Sequence, residues 1–145
     1  MKPCRLAVAL ALALAASLPT AAQERGYTLI VNAANPAKEL KRDQLATLFL
    51  DRTARWGHGP AAEPVDQSLA SGVRDAFSRD ALGKPPQAVQ SYWQKRILTE
   101  HQAPPPVKGS DAEVIAHVEK AKGGIGYVSE GAVLPPTVKA IKLAD

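Results

Sequence analysis

The chain opens on an apolar run that does not belong with the rest of its residues. Leu6 to Leu18 is almost unbroken Ala, Leu and Val, with the cationic Lys2 and Arg5 before it and the small residues Thr20-Ala21-Ala22 after it. Positive start, apolar centre and small-residue exit are the pattern of a secretory leader, and the run is too short to span a bilayer. A buried N-terminal helix would need polar residues to give it an outer face, and nothing polar interrupts this run. Residues 1–22 are therefore expected to be cleaved as a signal peptide, before Gln23. Cys4, the only cysteine, precedes the apolar run, whereas a lipid-anchored cysteine would stand just after it. The part that folds is expected to be residues 23–145, free of cysteine and outside the reducing cytosol.

About 120 residues make one ordinary domain, long enough to bury a core without disulfides. The leader carries away Lys2 and Arg5, so the formal net charge of +4 falls to about +2 with histidine neutral. That excludes a nucleic-acid binder, which needs a clustered basic face. No second run is long enough to cross a membrane, and there is no internal repeat. Ala103-Pro104-Pro105-Pro106 and Leu134-Pro135-Pro136 read as stiff connectors inside one domain.

Local patterns alternate between strand and helix. Tyr27 to Val31 is β-branched and aromatic, and Asn32 to Pro36 ends it with turn residues. Leu45, Leu48 and Phe49 follow helical spacing after Asp43. A loop from Asp51 to Pro64 holds Trp56, and Pro64-Val65-Asp66 reads as a brief strand. Val73, Ala76, Phe77 and Ala81 predict a helix over 71–82, closed by Gly83. Pro85 and Pro86 open a further helix whose stripe of Val89, Tyr92, Trp93 and Ile97 is expected in the core. Ser110 and Glu113 have capping-box spacing ahead of Val114, Ile115 and Val118. Gly123-Gly124 stops that helix, Ile125 to Val128 makes a buried strand, and Val138 to Leu143 makes the last one. This alternation predicts an α/β layer fold. Phe49, Phe77, Trp93, Ile97, Ile125 and Val128 are expected to converge in a single core.

Four of these stretches, in this order, resemble the periplasmic phosphate-binding proteins, the substrate-binding components of phosphate ABC transporters. Asp43 to Leu50 with Trp56 is similar to the family's short helix, turn and loop tryptophan. Pro64 to Val73 stands where the family has a strand and an Arg-x-x-x-Ser-Gly-Thr anion loop, and Phe77 matches an apolar position of the next helix. Gly109 to Asp111 through Gly123-Gly124-Ile125-Gly126-Tyr127-Val128 resembles the family's Gly-Ala-Ile-Gly-Tyr segment, the most specific of the matches. The resemblance implies a single lobe of a type 2 periplasmic-binding-protein fold, α/β, with a mixed central sheet flanked by helices. It also implies a periplasmic location and a small oxyanion, phosphate above all, seated without catalysis or cofactor at Gln67, Ser71, Gly72 and the amide of Val73.

The chain departs from the family pattern in two ways. It is long enough for only one of the two lobes that close over a receptor's ligand. Gln67 stands at the arginine position and Val73 at the threonine position, so only Ser71 and Gly72 match the anion loop. A hydrogen bond to a charged group is worth about 1.5–3 kcal/mol, so losing the arginine lowers affinity at least about tenfold. An isolated lobe so altered is expected to bind an anion weakly, with a dissociation constant near millimolar, about −4 kcal/mol.

Other chemistry is weaker. His58, His101 and His117 lie in separate elements without ligand spacing, and no metal site is expected. Ser71 has no glycine elbow and no evident base, so it reads as a helix cap rather than a nucleophile. Asp66 and Asp75 read as turn and helix-surface residues. Lys38, Lys41, Arg42, Arg52 and Arg55, interleaved with Glu39, Asp43 and Asp51, read as a solvated and internally paired face. Two functions follow: an oxyanion-binding protein, or a periplasmic interaction or sensor-accessory module that kept the lobe and lost the ligand. A membrane transporter or a sensor is the partner class for either, and a homodimer pairing two lobes stays open.

Overall fold

Alternating side chains set the centre of the molecule, which the computed structural model describes over residues 25–145. The expected leader, Met1 to Ala22, lies outside those residues. In β1 (Thr28–Asn32), Leu29 and Val31 point to one face and Ile30 to the other, the two-residue period of an extended chain. In β6 (Gly124–Val128), Ile125 and Tyr127 join the first face and Val128 the second. β1 runs antiparallel to β6 and, on its other side, to β7 (Val138–Ala144). Short parallel strands β2 (Glu39–Lys41) and β3 (Glu63–Pro64) close the edges, giving the order β2-β7-β1-β6-β3.

A strand apolar on both sides must be covered on both sides. On the first face α1 (Arg42–Leu50) and α2 (Gly72–Ala81) bury Leu45, Leu48, Phe49, Phe77 and Ala81. On the second face α4 (Asp111–Glu119) sets Val114 and Val118 against Ile30, Val65, Val128 and Val138. The expected mixed sheet flanked by helices is present. α4 lies almost on the backbone of β6. A Cβ on Gly126 would come within 2.7 Å of Val114 Cγ1 and Val65 Cγ1, and one on Gly124 within 2.6 Å of the Val118 carbonyl oxygen. The Gly-Gly-Ile-Gly-Tyr run is therefore a packing requirement of this layer.

The chain leaves the sheet at Val65, whose N–H still reaches the Ile125 carbonyl at 2.9 Å. The single brief strand expected at 64–66 is in fact split. β4 (Asp66–Gln67) turns away and pairs in parallel with β5 (Val107–Lys108) in a separate two-stranded sheet. α3 (Pro86–Glu100) follows the left-handed Gly83 and packs beside α2.

Two further expectations are corrected. The six core residues do not form one cluster: Phe49, Phe77 and Ile125 share the first face, while Val128 is on the second. Trp93 is buried outside both groups, and Ile97 is 44% exposed. α3 meets the body at Val89 and Trp93, and one turn later Ile97 is covered only in part. The basic face is also not paired within itself. Arg42 leaves it to contact Asp80 at 3.2 Å and Asp145 at 2.9 Å. Asp80 also receives Arg25 at 3.0 Å and the Tyr27 hydroxyl at 2.6 Å. Burial pushes the Asp80 carboxyl up, but hydrogen bonds from Tyr27 and Arg25 and the charge of Arg42 outweigh it and hold the group below its ordinary range.

Candidate functional site

The start of α2 gathers the residues singled out in the anion loop. Ser71 is the extended N-cap, with φ −79° and ψ 125°. Gly72 and Val73 begin the first turn, where backbone N–H groups have no acceptor within the helix. Arg74 N–H and Asp75 N–H turn back to the Ser71 carbonyl at 3.1 and 3.4 Å. Gly72 is exposed and its two neighbours are half-buried.

The Ser71 hydroxyl does not cap the helix. It donates instead to Gln67 Oε1 at 3.0 Å, because the Gln67 side chain lies underneath it. Gln67 is only 2% exposed. Its Nε2 donates to the Tyr127 carbonyl at 2.9 Å and to Asp111 Oδ1 at 3.1 Å. A carboxamide has two N–H donors, and here both are engaged inside the protein. Asp111 Oδ1 also accepts the Ser129 N–H at 3.1 Å, which ties α4 and the end of β6 to the same point.

Beneath Gln67 is a charge pair that the sequence reading did not assemble. Arg74 and Asp66 are 5% and 6% exposed. Arg74 Nη1 donates to the Gln67 carbonyl at 2.7 Å and lies 3.1 Å from Asp66 Oδ1. The same oxygen accepts the Gln67 N–H at 2.9 Å and the Tyr127 hydroxyl. Tyr127 is held by its ring, stacked 3.8 Å from Phe77. Burial lifts the Asp66 carboxyl above its ordinary value, and the Arg74 charge and the hydrogen bonds from Tyr127 and Gln67 offset only part of that. Burial and the Asp66 charge likewise push the Tyr127 hydroxyl up.

Asp66 is thus the floor of a buried network rather than an ordinary turn residue. Asp75 does stay on the helix surface, paired with Arg79 at 3.0 Å. Arg74 was not singled out in the sequence. Its signal was present: Arg74, Phe77, Ser78 and Ala81 are the buried stripe of α2, and a cation on such a stripe needs a buried anion.

The electrostatics of this helix start do not favour an added anion. Arg74 is neutralised by Asp66 and Arg79 by Asp75, and the carboxylate of Asp111 lies beside Gln67. His58 and His101 are exposed, and half-buried His117 places Nε2 3.3 Å from the Glu63 carbonyl oxygen. Among the described residues no group of three or more side chains is arranged to hold a metal ion. Among the same residues no helix is long and apolar enough to cross a membrane.

Among solved structures the chain is similar to an ABC-type phosphate transport receptor from Vibrio cholerae. The TM-score is 0.59 at 24% identity, covering 81% of this chain and 46% of that one. The fold is that of a single receptor lobe. A phosphate ABC transporter substrate-binding protein from Clostridium perfringens, solved with bound phosphate, gives a TM-score of 0.64 at 21% identity over 81% of this chain and 44% of that one. PstS from Borrelia burgdorferi gives 0.63 at 15% identity over 83% and 47%. The chain spans less than half the length of each of these receptors. No protein-family model and no curated protein matches the sequence. At these identities the likeness establishes the fold of the lobe.

Proposed function

We propose that this chain is an exported, non-catalytic module that keeps the receptor lobe and fills its anion cradle from within. It works by contacting another macromolecule rather than by capturing free phosphate. The observation that carries this reading is Gln67. It stands at the position where the resemblance puts an arginine, and both of its N–H donors are held by Tyr127 and Asp111.

A bound phosphate draws on helix N–H groups, hydroxyl donors and a bidentate arginine. Here the arginine is absent, the Ser71 proton is committed to Gln67, and Arg74 is turned to Asp66. What remains is the amides of Gly72 and Val73, and a helix N-terminus contributes about 0.3–1 kcal/mol. Export to the periplasm is supported by the leader pattern of Met1 to Ala22. Residues 23–145 then act as one unit, with a membrane transporter or sensor as the partner class.

The open first turn favours a second reading, weak oxyanion binding at Ser71, Gly72 and the Val73 amide beside Gln67. Calorimetric titration of residues 23–145 with phosphate, sulfate and molybdate separates the two. The plugged cradle predicts no saturable heat with any of the three anions. Saturable binding of one of them, even with a dissociation constant near millimolar, replaces the first reading with the second.

A further inference from the structure

A cavity of about 400 Å³ opens at the end of the sheet opposite the start of α2. β6 separates the two: it begins just past Lys122 in the cavity wall and ends before Ser129, whose N–H meets Asp111 near Gln67. Three turns line the cavity: Ala34 to Ala37 after β1, Trp56 to Pro60 after α1, and Lys122 between α4 and β6. Its volume is within the about 300–1,000 Å³ of small-molecule sites.

The walls are fixed by bonds within the protein. Half-buried Trp56 packs on the first-face core. Its backbone N–H donates to the Pro60 carbonyl at 3.0 Å, its carbonyl accepts the Gly59 N–H at 2.6 Å, and its Nε1–H donates to the Gly123 carbonyl at 3.0 Å. A Cβ on Gly59 would come within 2.8 Å of that Trp56 carbonyl oxygen, so the turn has no room for a side chain there. In the turn after β1, Asn35 is 3% exposed. It accepts the Ala37 N–H at 2.9 Å and donates to the Lys122 carbonyl at 3.4 Å. An indole held through both backbone and ring has little freedom left to lose when a ligand covers it.

The lining selects its ligand. Apart from Asn35 and Lys122 it is alanine, glycine, proline and Trp56, so most of what it covers has to be apolar. Lys122 is exposed and is the one charged residue in it, and among the described residues it forms no ion pair. Lys38 adjoins the lining after Ala37, while Glu39 stands opposite Lys142 in the register of β2 and β7. That balance of charge repels a cation. A bare phosphate or sulfate would give up its hydration to a mostly apolar wall. A flat apolar ring with one carboxylate meets both conditions, the ring on indole and proline and the carboxylate on an ammonium.

We propose that this cavity binds a small aromatic carboxylate, its ring against Trp56, Pro36 and Pro60 and its carboxylate paired with Lys122. This is a ligand site separate from the start of α2, and it goes beyond the reading that the module acts by protein contact.

The test is nitrogen-15 NMR of residues 23–145 titrated with 2-naphthoate. The Trp56 indole and Asn35 amide signals are expected to shift and saturate while the Trp93 indole stays in place. 2-Naphthalenemethanol, the same ring without the charge, is expected to bind about two- to fivefold more weakly, the range of an exposed ion pair. Lys122→Glu is expected to abolish that preference. Lys122 is exposed, and an unchanged amide spectrum elsewhere shows that the fold survives the substitution. Absence of a saturating Trp56 shift at millimolar 2-naphthoate overturns the proposal. So does the alcohol binding the parent chain as tightly as the carboxylate, or the preference for the carboxylate surviving Lys122→Glu. Each of these results leaves the plugged cradle standing, because that reading falls only to saturable phosphate, sulfate or molybdate binding in the calorimetric titration.

Discussion

Arg74 shares its helical stripe with Phe77, Ser78 and Ala81, and only the carboxylate of Asp66 makes its burial tolerable. Removing one partner of such a pair strands the other, at about 3–5 kcal/mol. Asp66→Ala is therefore expected to lower the unfolding free energy by about that amount, read by urea denaturation; a loss under about 1 kcal/mol would mean the pair is open to water. Gly126 makes the complementary point about space. Gly126→Ala puts a methyl 2.7 Å from both Val114 and Val65, and overpacking of this kind costs about 1–3 kcal/mol. An unchanged midpoint would show that α4 can move off the sheet. The buried place of Arg74 could be read from its stripe, but its partner could not, because Asp66 meets it only across the turn from β4 into α2, and Gly126 meets Val65 and Val114 only once α4 packs on β6.

At the scale of elements, α3 is the helix whose pattern was read most generously. Val89 and Trp93 face inward as the stripe predicts, and the Tyr92 hydroxyl donates to the Leu50 carbonyl at 2.6 Å. Ile97 continues the same period but stays 44% exposed, since periodicity gives a helix its apolar side without saying how far the body beneath extends. Trp93→Ala should cost about 3–5 kcal/mol, whereas Ile97→Ser should stay within about 0.5 kcal/mol. Equal losses at both positions in urea denaturation would place α3 wrongly. Long, strongly patterned pieces such as β1, α2 and β6 were legible in the sequence. β2 and β5, three and two residues long, were not, because nothing local marks a strand that short, and the brief strand read at 64–66 gave no sign of its division into β3 and β4.

For the molecule as a whole, two carboxylates set opposite responses to acid. Asp80 is held below its ordinary value, so its ion pairs contribute fully above the unfolded value of about 3.9 and are lost as pH falls through the folded one. Asp66 is held above its ordinary value, so the folded chain keeps that proton more tightly and stability declines as pH rises from about 4 through the raised value. Asp80→Asn should flatten the acid limb of stability against pH and leave the decline above it in place. An unaltered acid limb would remove the Asp80 network from the account.

The order of motifs disclosed the lobe, and the Ser71-Gly72 match marked where the proposed cradle would lie. The hold on Gln67 was hidden, because it reads as a lost arginine until Tyr127 and Asp111 are seen to accept its two protons. The Gln67 carboxamide is therefore the group to watch, by nitrogen-15 NMR of residues 23–145 during addition of phosphate. The account predicts that both of its protons exchange slowly and stay in place while the amides of Gly72 and Val73 shift weakly and without saturating. A Gln67 carboxamide shift that saturates at micromolar phosphate would contradict it.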